Sequence, residues 1–243
     1  MKVIVIIPAA GLGTRMASAP ASKRTKPAAT KQFAELDGVP VLARTLASFA
    51  GSPDVTEIYG ALRASEIAPF RNRLQKDFPE IWAKKPVLVE GGEHRQESVT
   101  NALAQISAAP DDVVLVHDAV RPFVTQSMIR DVIEAVKHYG AAIVGIPAVD
   151  TVKQVERTAE GAVIKATIPR QQIVLAQTPQ GFRYDVIKKA FDEAAADGFT
   201  GTDEASLVER SGHQVAVVMG TPRNMKITTP ADFELAGFYL KHS

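Results

Sequence analysis

Residues 1–16 read MKVIVIIPAAGLGTRM: an apolar run from Val3 to Ile7 enters the turn Pro8-Ala9-Ala10-Gly11-Leu12-Gly13, with Thr14-Arg15-Met16 behind it. Every position of the run is β-branched and none is polar, as in a strand covered on both faces of a parallel sheet. Lys2, the apolar run and the small residues also outline a short secretion signal. The β-branched content and the glycine turn with its arginine decide for a first strand. Small residues at such a strand's C-terminal end let backbone N–H groups approach a ligand closely, and in open α/β sheets ligands collect at that edge. A dinucleotide fingerprint needs a third glycine where Met16 stands, and a P-loop needs a Gly-Lys-Ser/Thr that is absent. The turn alone could be a tight strand-to-helix connection. Arg15, two residues past Gly13, adds a guanidinium suited to phosphate oxygens.

Outward from this strand, short β-branched runs alternate with segments of helical period. Val113 to Val116, Ala142 to Ile146 and Val215 to Met219 read as buried strands, with Ile58 to Leu62 and Val87 to Val89 as weaker ones. Leu42, Leu46 and Phe49 share one helical face. So do Val99, Ala102, Leu103 and Ile106, then Ile129, Val132, Ile133 and Val136, and Ile187, Ala190, Phe191 and Ala194. A last helix opens with Thr229 as N-cap, Pro230 at its first position and Asp232 near the positive dipole end. The alternation predicts an α/β fold, a three-layer sandwich with a mainly parallel sheet. Thr151 to Glu156 and Ala162 to Ile168 break the rhythm: they are joined by Thr158-Ala159-Glu160-Gly161 without a helix, so they predict a hairpin arm at about residues 150–172. A lone hairpin is marginal in water, and a second subunit is the economical partner for it. Residues 1–243 otherwise read as a single domain.

Composition narrows the function classes. The chain is 46% hydrophobic and 23% charged, and 28 Lys and Arg against 27 Asp and Glu leave a net charge of +1. That balance argues against nucleic acid or an anionic membrane held by bulk charge. Zero Cys excludes disulfides, thiolate metal sites and a Cys nucleophile, and fits a reducing, cytoplasmic setting. No segment approaches the roughly 20 apolar residues of a membrane span.

Several other stretches could carry chemistry. Lys23, Arg24, Lys26 and Lys31 stand in a Ser/Ala/Pro/Thr-rich stretch that can equally be a solvated loop. Lys31-Gln32-Phe33 directly precedes the turn Leu36-Asp37-Gly38-Val39-Pro40, so its cation can return towards Gly11–Gly13. His117-Asp118-Ala119-Val120-Arg121-Pro122 follows the Val113–Val116 strand on the ligand edge, where Asp118 could also simply hold the turn. Thr178-Pro179-Gln180 reads as a site segment or a Pro turn, and Thr202-Asp203-Glu204-Ala205-Ser206 as a site segment or a helix cap. Asn224-Met225-Lys226 reads as a strand end that aims another cation at the same edge.

Taken in order, PAAGLGTRM, KQF, GGEHRQESV, HDAVRP, DTVK, AQTPQGF, TDEASLVE and NMKITTP run from residue 8 to residue 230. Together they closely resemble the 2-C-methyl-D-erythritol 4-phosphate cytidylyltransferases, within the glycine-rich nucleotidyltransferases. The resemblance implies a Rossmann-like domain dimerised through an extended β-arm, and cytidylyl transfer from CTP to methylerythritol phosphate with Mg²⁺ bound mainly through the CTP phosphates. No protein metal ligand is identified. By position it implies that Ala9, Ala10, Gly11 and Gly13 line the nucleotide and that Gly92, Glu93, Arg95 and Ser98 face the cytosine. Arg15 and Lys31 would stabilise charge on the triphosphate. Asp118, Arg121, Thr151, Thr178, Thr202 and Lys226 would surround the acceptor and the reacting phosphates, and Arg170 would reach in from the partner's arm. Two departures stand out. Fourteen residues separate Met16 from Lys31, so Lys26-Pro27 competes with Thr30-Lys31 for the family lysine, and Ile168-Pro169 replaces the usual Asp before Arg170. Ribitol-5-phosphate cytidylyltransferase is the neighbouring chemistry, from which Asp150–Lys153 and Asp203–Ser206 tilt the reading away.

Overall fold

The computed structural model describes residues 1–11 and 30–242. In chain order its elements are β1 (Val3–Pro8), β2 (Glu35–Leu36), β3 (Val39–Pro40), α1 (Val41–Ala50), β4 (Glu57–Leu62), α2 (Ala64–Asp77) and α3 (Pro79–Trp82). Then come β5 (Val87–Glu90), α4 (Arg95–Leu103), β6 (Val113–Val116), α5 (Gln126–Tyr139), β7 (Ala141–Pro147), β8 (Val152–Thr158) and β9 (Gly161–Ile168). The chain closes with a 3₁₀ turn (Arg170–Gln172), β10 (Val174–Arg183), α6 (Tyr184–Ala196), α7 (Glu204–Arg210), β11 (Ala216–Met219) and α8 (Pro230–Lys241).

A seven-stranded sheet has the order β11-β7-β10-β6-β1-β4-β5. Strand pairs are parallel except around β10, which runs antiparallel to both β6 and β7. Alternation along β1 assigns its side chains to two cores. Val3, Val5 and Ile7 pack with Leu42, Leu46 and Phe49 of α1 and with Ile129, Val132 and Val136 of α5. Ile4 and Ile6 pack on the other face with Val99 and Leu103 of α4 and with Ile187, Ala190 and Phe191 of α6. This is the three-layer α/β sandwich that the sequence predicts, and the four helical faces named above are buried. The β2–β3 turn, with Asp37 and Gly38 at positive φ, folds back so that Leu36 joins Ala236 of α8 in a third cluster.

Helix α2 and strand β10 were among the elements not legible in the sequence. Helix α2 buries only Phe70 and Leu74 and carries Pro69 inside it, so its apolar period is weak. Around Thr178-Pro179 the chain makes a long strand, not a turn. The β10–β7 ladder skips from Gln177 to Gln180, and Pro179, which has no N–H to donate, sits in that gap.

The predicted arm forms as a separate two-stranded sheet, β8–β9, that leaves the main sheet between β7 and β10. Its residues are nearly all exposed, including Val155, Val163 and Ile164.

What positions the site is the order of strands. The chain steps from β1 outward through β4 and β5, then returns to the other side of β1 as β6, a topological switch point. The turn after β1 and the loop after β6 therefore open side by side, and His117 N–H donates to the Ile6 carbonyl at 2.9 Å. Strand β10, running the opposite way with Gln180 facing Val116, begins its core section beside that loop and delivers Thr178 to it.

Candidate active site

At the end of β1 the carbonyls of the turn are taken up by the protein. Gln32 Nε2 donates to the Ala9 and Gly11 oxygens at 2.8 and 3.2 Å, and Arg63 Nε donates to the Ala10 oxygen at 2.9 Å. Among the described residues, the Ala10 and Gly11 N–H groups have no partner. Close approach also shapes the wall opposite. A Cβ on Gly91 would stand 2.6 Å from Ala10 Cβ and 2.8 Å from Ser98 Oγ, so only glycine fits.

Asp118 is the centre of the cleft, with its side chain 8% exposed. Its Oδ2 accepts from Arg121 Nε and from Lys226 Nζ, each at 3.0 Å, and its Oδ1 accepts from Arg95 Nε at 3.3 Å. Arg121 is held in turn by the Asn224 carbonyl at 2.8 Å, and Arg95 Nη1 reaches both oxygens of Glu204 at 2.5 and 2.7 Å. Burial works to raise the Asp118 pKa, but Arg95, Lys226 and Arg121 outweigh it and hold the carboxyl well below the usual carboxylate range. Burial likewise opposes the Arg95 charge, and Glu204 and Asp118 together reverse that and raise its pKa.

Behind Asp118 lies a buried chain of hydrogen bonds. His117 Nε2 sits 3.0 Å from the Arg121 carbonyl, which can only accept, so Nε2 carries the proton. Nδ1 then accepts from the Thr178 hydroxyl at 3.1 Å, and the same hydroxyl oxygen accepts from Asp118 N–H at 3.0 Å. His117 is fully buried against Phe49, and burial pushes its pKa down to about 4, against a smaller opposing effect of the Arg121 carbonyl. The imidazole is therefore neutral at pH 7.

Ala9, Ala10, Gly11 and Lys31 come together with Arg95, Ser98, Asp118 and Lys226 around a cleft of about 160 Å³. Gly92 and Glu93 line an adjoining cleft of about 520 Å³ that shares Ala10 with the first and has Arg63 in its wall. Thr202 lines a small cavity of about 20 Å³ beyond Arg95. Arg121 and Thr178 are not on the cleft wall: they hold Asp118 from behind. Thr151 and Arg170 are exposed at the foot of the arm, where Arg170 Nη1 donates to the Val149 carbonyl at 2.7 Å. Gly13 and Arg15 lie outside the described residues. Lys226 arrives not from a strand end but from the segment after β11, pinned by Ile227 N–H on the Val120 carbonyl at 2.9 Å.

Among the residues that build the site, Arg63 lay in no motif read from the sequence, and Gln32 and Glu204 lay in motifs without a role of their own. Glu204 had a signal, because a carboxylate beside Ala205, Leu207 and Val208 falls on the buried side of an amphipathic turn. Among the described residues no group of three or more His, Asp or Glu could hold a metal ion. Asp118, the carboxylate of the cleft, is covered by cations instead. A metal held by the described residues does not fit.

The family model for IspD, 2-C-methyl-D-erythritol 4-phosphate cytidylyltransferase, matches residues 3–242. The chain belongs to this family. It is 58% identical over 242 residues to the 2-C-methyl-D-erythritol 4-phosphate cytidylyltransferase of Acidobacterium capsulatum, covering 99% of this chain and 98% of that one. It is 50% identical to that of Solibacter usitatus over 99% of this chain and 96% of the relative. The crystal structure of the Francisella tularensis enzyme superposes with a TM-score of 0.78 at 36% identity, over 98% of this chain and 99% of that one. The chain is an enzyme of the cytidylyltransferase class, and no helix among its described residues is long and apolar enough to cross a membrane.

In this cytidylyltransferase the neutral His117 has a measurable consequence. Unfolded, a histidine takes up a proton near its ordinary pKa of about 6.5, whereas the buried ring refuses it until about pH 4. Stability that is complete above the first value is lost as pH falls through the second. Urea unfolding at pH 7 and pH 4.5 should show wild type losing about 2 kcal/mol more than His117→Gln over that interval. Equal losses in the two proteins would contradict a neutral, buried His117.

Proposed function

We infer that the chain transfers the cytidylyl group of CTP to 2-C-methyl-D-erythritol 4-phosphate. The products are 4-diphosphocytidyl-2-C-methyl-D-erythritol and pyrophosphate, and the step belongs to non-mevalonate isoprenoid biosynthesis. The observation that carries this reading is the cationic cleft at the switch point, where Lys31, Arg95 and Lys226 meet the Ala10-Gly11 turn, whose N–H groups have no partner among the described residues, in a chain of this family. Such a cleft suits two anionic reactants.

A phosphate oxygen of the acceptor attacks the α-phosphorus of CTP. The new P–O bond forms as the bond to the bridging oxygen breaks, and its electron pair leaves on pyrophosphate. The attacking phosphate is already largely ionised, because the second pKa of a monoester is about 6, so no general base is required. The remaining work is to bring anions together and to steady charge as it moves, which positioned cations do. We assign the nucleotide to Ala9, Ala10, Gly11 and Gly13, with Gly92, Glu93, Arg95 and Ser98 around the base. Asp118, Arg121, Thr151, Thr178 and Thr202 hold the acceptor side, Asp118 in contact and Arg121 and Thr178 by fixing it. Arg15, Lys31 and Lys226 act on the phosphates. Mg²⁺, on this reading, enters with the CTP phosphates. Residues 1–243 act as one catalytic unit, and we assign the reaction to the cytoplasm, a reducing setting that a cysteine-free chain fits.

The same reading makes the enzyme a homodimer through the arm, with Arg170 serving the neighbour's site. Its support is an arm that exposes Val155, Val163 and Ile164, with Val174 and Leu175 exposed just beyond its foot.

Pyrophosphate release from CTP should be rapid with methylerythritol phosphate and much slower with ribitol 5-phosphate; the reverse order would replace the acceptor in this reading. For the arm, an Arg15→Ala chain and an Arg170→Ala chain, each nearly inactive, should recover roughly a quarter of wild-type activity when half the dimers are mixed. Verified subunit exchange without recovery would rule out service in trans.

A further inference from the structure

Arg95 is gripped from two sides by carboxylates of different character. Asp118 faces the cleft, whereas the Glu204 side chain is only 2% exposed and its oxygens both lie on Arg95 Nη1. Glu204 stands at the first position of α7, and that turn is firmly placed. Asp203 caps it through Ser206 N–H at 2.9 Å, and Gln180 of β10 bonds Asp203 Oδ2 at 2.8 Å and the Ala205 N–H at 3.0 Å. An ion pair buried only for stability could be replaced by apolar side chains at little cost. Here, however, the pair is lopsided: Arg95 is 29% exposed and lines the cleft, so Glu204 meets the cleft only through Arg95. The two oxygens of Asp118 differ accordingly. Oδ2 takes two donors at 3.0 Å, while among the described residues Oδ1 has only the longer 3.3 Å contact from Arg95 Nε.

We propose that Glu204 is a positioning residue for the transfer: by drawing Arg95 towards α7 it keeps the guanidinium from closing on Asp118 Oδ1, and so leaves that oxygen to accept a hydroxyl of the polyol phosphate. This rests on the reading of the cleft as an acceptor site and adds to it the residue that sets the acceptor's anchor. Without the Glu204 charge, Arg95 has Asp118 as its remaining carboxylate partner and competes with the acceptor for it. Nucleotide contacts of the β1 turn do not pass through Glu204, whereas Arg95, assigned above to the base, is held by it.

The test is pyrophosphate release with methylerythritol phosphate varied at saturating CTP and CTP varied at saturating methylerythritol phosphate, for wild type and Glu204→Gln, with melting temperatures alongside. Glu204→Gln should raise the acceptor KM about tenfold, the size of one charge-assisted hydrogen bond, and the CTP KM, which Arg95 also serves at the base, by clearly less; a CTP KM raised as much as the acceptor KM overturns the proposal. A merely structural role would lower the active fraction and kcat and leave both KM values in place; that result overturns the proposal, as does an unchanged acceptor KM in a folded variant. If Glu204→Gln does not fold, Glu204→Asp, which keeps the charge a methylene further off, should show an acceptor KM raised at least threefold, and an unchanged value again overturns it. Wild type inactive with this acceptor would sink the functional reading instead, so the two failures are distinguishable.

Discussion

A carboxylate taken out of water must be compensated on the spot, and Asp118 imposes that condition on the whole ligand edge. The cost of an unpaired buried charge is several kcal/mol, so its three cations are structural requirements as well as chemical assets. They come from separate parts of the chain: Arg95 from the start of α4, Arg121 from the loop after β6, and Lys226 from the segment that follows β11. One buried negative charge thus draws the nucleotide-side and acceptor-side segments into a single cluster. Thr178 and His117 complete it from below, fixing the Asp118 backbone through a hydroxyl whose proton direction the imidazole tautomer dictates.

The electrostatic balance of that cluster suits its reactants. Arg95, Arg121 and Lys226 against Asp118 and Glu204 leave an excess of positive charge, and Lys31 adds to it at the cleft wall. Cations already locked by carboxylates need little reorganisation when phosphates arrive, which is the condition under which fixed charges stabilise a transition state best. The one imidazole in the cluster is neutral and turned away from the cleft, in keeping with a nucleophile that arrives ionised.

Much of this was legible in the sequence because it rests on local pattern. Val3–Ile7 announces a doubly covered strand, and the placement of Asp118 follows once Val113–Val116 is read as its neighbour. The four apolar helix faces and the Thr229 cap were equally readable, since period and capping chemistry are properties of short windows. What escaped depends on distant partners. Strand β10 is antiparallel and interrupted at Pro179, so its pairing is visible only beside β6 and β7. Helix α2 has too few buried residues to show a face. Glu204 lay in a stretch that read as a site segment or a helix cap, with no role of its own, because Arg95, its partner, stands 109 residues away. Arg170 stands exposed at the foot of the arm, where its Nη1 donates to the Val149 carbonyl.

The account stands on Asp118 remaining ionised inside its ring of cations. Carbon-13 NMR of the side-chain carboxyl, assigned by its disappearance in Asp118→Asn, measures that directly across an acid titration. The signal should hold its ionised shift down to the pH at which the chain unfolds. A titration in the folded protein with a midpoint at the ordinary aspartate value, about 3.9, or above it would contradict the arrangement.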